Sequence, residues 1–170
     1  IIAEIGINHN GDMDLAREMI FAAAKAGADS VKFQNYLTED FVSDKSLMFS
    51  YQSNGKLITE PQYDMFKRCE LGFSQLRFLK DTCDKAGVIF HSTPTSVIGI
   101  QQLVDVGCKI LKNGSDCLTN LRLVKAMGES GLLTVLSTGM ASMSEIEAAV
   151  HTFRDTGNDN LILLHFYFGV

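Results

Sequence analysis

The stretch "AAAKAGADSVKFQ", residues 22–34, decides how this chain folds. Its first half closes an amphipathic segment whose apolar positions, Leu15, Met19, Ala22, Ala23 and Ala26, recur at helical spacing. Gly27 follows, where a helix stops in the left-handed conformation that glycine adopts without steric cost. After it Val31 and Phe33 alternate with Lys32 and Gln34 as the two faces of a β-strand do. The phrase is thus helix, glycine, strand.

The same phrase recurs as "DTCDKAGVIFHS" (81–92), "QQLVDVGCKILKNGS" (101–115), "VKAMGESGLLTVLSTG" (124–139) and "FRDTGNDNLILLHF" (153–166). Gly87, Gly107, Gly131 and Gly157 hold the position of Gly27, and Ser142 with Glu145 reads as a capping box opening the last helix. Strands are expected at 1–7, 30–36, 88–93, 109–114, 133–138 and 161–167, short and apolar as strands buried on both sides are. Alternation with helices makes the sheet parallel. The rhythm breaks between Gly27 and Gly87, where residues 37–72 form an insertion after the second strand. "EPQYDMFKRCEL" within it predicts a short helix with Pro61 near its start, and an insertion at that place is expected to act as a lid or substrate loop.

Two architectures suit such a chain. An open doubly wound sheet concentrates its site at one switch point, whereas a (β/α)8 barrel collects residues from the ends of most strands. Here nearly every strand ends in polar residues: Glu4 with Asn8 and His9, Lys32 with Gln34, His91 with Ser92 and Thr93, Lys112 with Ser115 and Asp116, Ser137 with Thr138, and His165. The pattern selects a parallel (β/α)8 TIM barrel, truncated here to about six βα units. Its helix-facing side must be apolar, so Lys32, Gln34 and Lys112 point inward. Two inward lysines need anionic compensation, from Glu4, from Asp116 or from a bound ligand. A Lys–Glu pair filling the barrel is one reading. A phosphate or carboxylate held with the hydroxyls of Thr93 and Ser115 is the other.

Composition narrows the classes. The 170 residues are 46% hydrophobic with a net charge of -5 and no basic block, which excludes a nucleic-acid footprint. No apolar run is long enough to span a membrane. Cys69, Cys83, Cys108 and Cys117 show no pairing pattern, pointing to reduced thiols and a cytoplasmic setting. The histidines lack metal-ligand spacing, and His151, mid-helix, is read as a bystander. The start on Ile1 reads as a trimmed N-terminus, and no targeting segment is visible.

Taken together, "IIAEIGINHNGD", "AGADSVKFQ", "FHSTP", "LKNGS" and "LSTGM" resemble, in order, the motifs of the sialic acid synthase family, N-acetylneuraminate synthase and its legionaminate and pseudaminate relatives. The resemblance implies condensation of phosphoenolpyruvate with an N-acetylmannosamine-type amino sugar to a nonulosonic acid and phosphate. It carries phosphoenolpyruvate contacts onto Lys32, Thr93, Lys112 and Ser115, sugar contacts onto Glu4 and Gln34, and catalytic carboxylates onto Glu4 and Asp116. It also implies a divalent metal, Mn²⁺ or Mg²⁺, with no ligand for it in this chain, and a homodimer in the full-length protein. The last two βα units and the C-terminal antifreeze-like domain have no counterpart here, so the isolated chain is expected to be inactive. Three positions depart from the family pattern: Cys117 where an acid is common, Thr95 in place of an aromatic, and the end "LLHFYFGV". Two other readings stay open: a lysine Schiff-base aldolase on a similar barrel, and an inactive ligand-binding remnant.

Overall fold

A computed structural model describes residues 1–40, 42–53 and 55–165. Six strands form one parallel sheet: β1 (Ile2–Gly6), β2 (Ser30–Asn35), β5 (Ile89–Pro94), β6 (Ile110–Lys112), β7 (Leu133–Ser137) and β8 (Leu161–Leu164). They neighbour one another in chain order, so the sheet has no point at which strand order reverses. A doubly wound sheet needs such a reversal, and that alternative falls. All six expected strands are present; the residues expected to continue the last one, 166 and 167, lie outside the described set.

Between the strands run α1 (Met13–Lys25), α3 (Phe73–Ala86), α4 (Val97–Asp105), α5 (Leu121–Glu129) and α6 (Met143–Arg154). Asp12 caps α1 by accepting from the backbone N–H groups of Asp14 and Leu15, and Ser142 with Glu145 forms the capping box expected at α6. The five glycines that close the repeated phrase all have φ between 71° and 86°.

One core holds the helices to the sheet. Val31, Phe33, Phe90, Leu111 and Leu136 are fully or almost fully buried, together with Ile20, Leu79, Leu103, Met127 and Phe153 from the helices. Register fixes which strand residues share the other face. Glu4 pairs with Lys32, Lys32 with His91, His91 with Ile110 and Ile110 with Leu133. One step on, Gln34 pairs with Thr93 and Lys112 with Val135. Residues paired across neighbouring strands point the same way, so the polar residues line the face away from the core. That face is open at its amino end, where Ile2 and Ile89 are each 44% exposed, and along the last strand, where Ile162, level with Lys112, is 45% exposed.

The insertion contains the expected helix, α2 (Gln62–Cys69), entered through Pro61, and a feature the sequence reading did not foresee. Met48–Ser53 and Lys56–Pro61 form an antiparallel hairpin, β3 and β4. Between these strands the sequence reads Asn54-Gly55, a dipeptide suited to tight hairpin turns. No helix among the described residues is long and apolar enough to cross a membrane.

Candidate active site

Lys32 is the centre of the polar face. Its side chain is buried, its ammonium lies 2.9 Å from Glu4 Oε1, and it donates to Thr93 Oγ1 at 3.2 Å. The glutamate side chain is about half exposed (55%), so the pair joins a buried cation to a wet anion. Glu4 is aimed by a break in the β1–β2 register between Glu4 and Gly6, the latter at φ 56°. A Cβ at Gly6 would sit 3.1 Å from Glu4 Oε1 and 3.3 Å from Gln34 Oε1. The two expected sugar contacts are thus brought side by side.

Lys112 stands at the far side of the same face. It donates to Ser137 Oγ at 2.8 Å and to the Asn113 carbonyl at 3.2 Å. Burial lowers its pKa and the charge of Lys32 lowers it further, with Glu4 and Asp116 pulling the other way. Asn113 is fully buried; its Oδ1 accepts from the Ser137 N–H at 3.2 Å, which locks the end of β7 against β6. Ser115 and Asp116 occupy a single turn of 3₁₀ helix, Ser115–Cys117, just beyond Lys112. The Asp116 carboxylate folds back toward Gly114, where a Cβ would meet its Oδ1 at 2.2 Å. Half-buried Cys117 has its thiol pKa raised, first by burial, then by the charge of Asp116 and a hydrogen bond to it. A thiol held protonated in this way is a poor nucleophile.

Between the lysines lies His91, fully buried, with neither ring nitrogen hydrogen-bonded among the described residues. Burial, reinforced by Lys32 and Lys112, brings its pKa down to about 4. A neutral imidazole that can donate from one nitrogen is therefore fixed in the floor of a doubly cationic site. The sequence marked His91 as a strand-end residue but attached no role to it. Nothing in the sequence singled out Asn113.

Two residues expected at the mouth lie elsewhere. His9 is fully buried, its ring 6.1 Å from Phe33, and Nδ1 accepts from the Gly11 N–H at 3.0 Å. It braces the β1–α1 turn against the helix-side core, and burial lowers its pKa. Ser92 pairs with Phe33 and Leu111 and shares their helix-facing side. Strand alternation puts it there, one step out of phase with His91 and Thr93. His165 is exposed beyond the end of β8, and His151 is exposed on α6. Asn8 lines a cavity at the mouth, as do Asn10 and Gln34.

The arrangement can hold an anion. Two ammonium groups, two hydroxyls and an uncharged imidazole converge at the carboxyl ends of parallel strands, the place where α/β proteins bind ligands. For a divalent metal the donor set is poor. Among the described residues no group of three or more His, Cys, Asp and Glu is arranged to hold one, and Glu4 is already engaged by Lys32.

Fold and site together define a singly wound β/α domain with two inward lysines at the carboxyl ends of its strands. The chain belongs to the NeuB family, whose model matches residues 19–167. It is 37% identical over 167 residues to the N,N'-diacetyllegionaminic acid synthase of Campylobacter jejuni, covering 97% of this chain and 50% of that protein. Against the enzyme of the same name from Legionella pneumophila it is 35% identical over 169 residues, covering 97% and 48%. The crystal structure of N-acetylneuraminic acid (sialic acid) synthetase from Leptospira borgpetersenii superposes with a TM-score of 0.86 at 36% identity, over 99% of this chain and 54% of that one. The chain spans about half the length of the curated relatives it matches.

Proposed function

We propose that the protein containing this chain condenses phosphoenolpyruvate with an N-acetylmannosamine-type amino sugar, giving a nonulosonic acid and inorganic phosphate. The observation that carries the reading is the pair of inward lysines, each oriented by a hydroxyl, Lys32 by Thr93 and Lys112 by Ser137. The domain supplies about six of the eight βα units of a TIM barrel, a reading supported by the sequential strand order and by the exposed inner residues Ile2, Ile89 and Ile162. Further strands would cover those isoleucines. The 170-residue chain alone is expected to lack activity, the full protein to act as a cytoplasmic homodimer.

In this scheme Lys32, Thr93, Lys112 and Ser115 hold the phosphate and carboxylate of phosphoenolpyruvate. Its C3 forms a bond to the aldehyde carbon of the open-chain sugar, and positive charge develops at C2. Glu4, beside Gln34, accepts hydrogen bonds from sugar hydroxyls and lies close enough to Lys32 to offset that charge. Water adds at C2, and the phosphate leaves with its C–O bond while the lysines stabilise the departing anion. Asp116, folded back beside Cys117, is the second carboxylate available to take a proton. A divalent metal, Mn²⁺ or Mg²⁺, would polarise the aldehyde when bound. Its ligands are assigned, in this scheme, to parts of the protein outside this chain.

Phosphate release from phosphoenolpyruvate by the full-length protein, with N-acetylmannosamine or a diacetamido 6-deoxy sugar and Mn²⁺, tests the reading. Release that depends on the sugar supports it; none with either sugar refutes it. One observation favours a second reading. Burial and then Lys32 lower the pKa of Lys112, the direction that favours imine formation. Borohydride trapping of a carbonyl substrate on Lys112 would establish a Schiff-base aldolase instead.

A further inference from the structure

His91 is costly where it stands. The ring is fully buried, and neither nitrogen has a hydrogen-bond partner among the described residues. A leucine of similar bulk would leave no polar atom unsatisfied, so packing alone gives no reason for an imidazole. Register fixes its place. It pairs with Lys32 on one side and Ile110 on the other, and Thr93 and Lys112 stand two residues further along the same face. At about 3.3 Å per strand residue, an anion held at the level of Thr93 and Lys112 lies roughly 6–7 Å above the level of the ring.

Among the described residues the charged groups around the ring are Lys32 of β2 and Lys112 of β6, with Glu4 of β1 and Asp116 of the 3₁₀ turn beyond them. Glu4 is bound to Lys32 at 2.9 Å, and Asp116 folds back toward Gly114. From β7 and β8 the residues on this face, Leu133, Val135 and Ile162, carry no charge. Burial, and then the two ammonium charges, keep the ring neutral down to a pKa of about 4.

A dianion docked on the lysines changes this balance. It brings two negative charges to the place from which two positive ones act, so their opposition to a proton on His91 is cancelled or reversed. At this separation inside the protein, salt screens little of the effect. Burial persists in the complex, so the ring becomes easier to protonate, yet less so than free imidazole. Both nitrogens are shut away from solvent, so the imidazolium acts through its field and not by touching the anion.

We propose that His91 is a conditional third cation of this site, neutral while the site is empty and protonated when a tetrahedral dianion docks on Lys32 and Lys112. This role rests on the anion site of the proposed condensation and adds a proton-dependent hold on its phosphate. Linkage makes the effect reciprocal: the factor by which the anion raises proton affinity is the factor by which the proton raises anion affinity. Affinity is therefore level at neutral pH, rises as pH falls through the pKa of the complex, and levels again below about 4.

The test uses the full-length protein and sulfate, a tetrahedral dianion whose charge is the same at pH 7.5 and pH 5. NMR of isotopically labelled histidine, with His91 identified by the signal that His91→Leu removes, should show sulfate raising its proton affinity about tenfold or more. By calorimetry wild type should gain about twofold or more in sulfate affinity from pH 7.5 to pH 5 relative to His91→Leu. Glu4 and Asp116 are present in both proteins and cancel. Should His91→Leu not fold, His91→Gln, polar but without a titrating proton, takes its place. An imidazole whose titration sulfate leaves unmoved, or parallel pH dependence in the two proteins, overturns the proposal. If Lys112→Met still weakens sulfate binding about tenfold in that case, the anion site stands without His91. Absent binding, or binding that Lys112→Met leaves unchanged at every pH, removes the anion site and the role of His91 together.

Discussion

Replacing His91 by leucine should remove a large part of the protein's acid sensitivity. The imidazole is fully buried, with Lys32 and Lys112 the cations that face it and Glu4 and Asp116 the carboxylates beyond them. Its pKa is about 4 in the folded protein against 6.5 for the free side chain. Between those values the unfolded chain binds a proton that the folded one does not, so stability falls as pH falls from 6.5 toward 4 and is level above. At about 1.4 kcal/mol per pKa unit the ceiling is about 3 kcal/mol, of which about 2 kcal/mol is lost by pH 5. Leucine carries no proton, and it removes two buried nitrogens without partners, so at pH 7.5 His91→Leu should be neutral or stabilising. Urea unfolding followed by circular dichroism, run on both proteins at pH 7.5, 6 and 5, reads the difference. His9 and the carboxylates titrate in both and cancel. The stability gap should move in favour of the variant by about 2 kcal/mol from pH 7.5 to pH 5. A gap constant across that range, or an imidazole found by NMR to titrate near 6.5, would refute the placement of His91 between the lysines.

Three further outcomes are expected. Lys112→Met should leave stability unchanged or raise Tm, because the charge it deletes is disfavoured by burial and by Lys32, while weakening phosphoenolpyruvate binding about tenfold or more by calorimetry. Gly11→Ala combines a left-handed backbone with a contact of 2.3 Å to the Arg68 carbonyl and should cost at least about 2 kcal/mol in urea unfolding. Ser142→Ala deletes the capping box of α6 and should cost about 1 kcal/mol while leaving ligand binding intact, since Ser142 is exposed and bonds only around its own helix start.

Gly27, Gly87, Gly107, Gly131 and Gly157 are local signals, readable because a left-handed helix end depends on the residue itself. So is the alternation in "SVKFQ", which puts Lys32 and Gln34 on one face before any neighbour is known. From these signals the parallel β/α order, the inward lysines and the family motifs were legible in advance. The hairpin at Met48–Pro61 had a local signal too, Asn54-Gly55 between alternating segments, masked by the length of the insertion.

Other features depend on what packs against what. Alternation alone sends Ser92 to the helix side, but only the packing of Phe33 draws His9 inward and away from the mouth. The low pKa of His91 arises first from burial and then from Lys32, which register sets beside it from a strand distant in sequence, and from Lys112, brought near by the next strand. The cavity joins residues 7–10, Gln34, the hairpin and α2, segments whose apposition no periodicity encodes. Sequence by itself determined the repeated helices and strands, their faces and the family, because those follow from short-range sterics and residue type. Tertiary structure decided burial, partners and charge environment, because each is a property of neighbours contributed by separate parts of the chain.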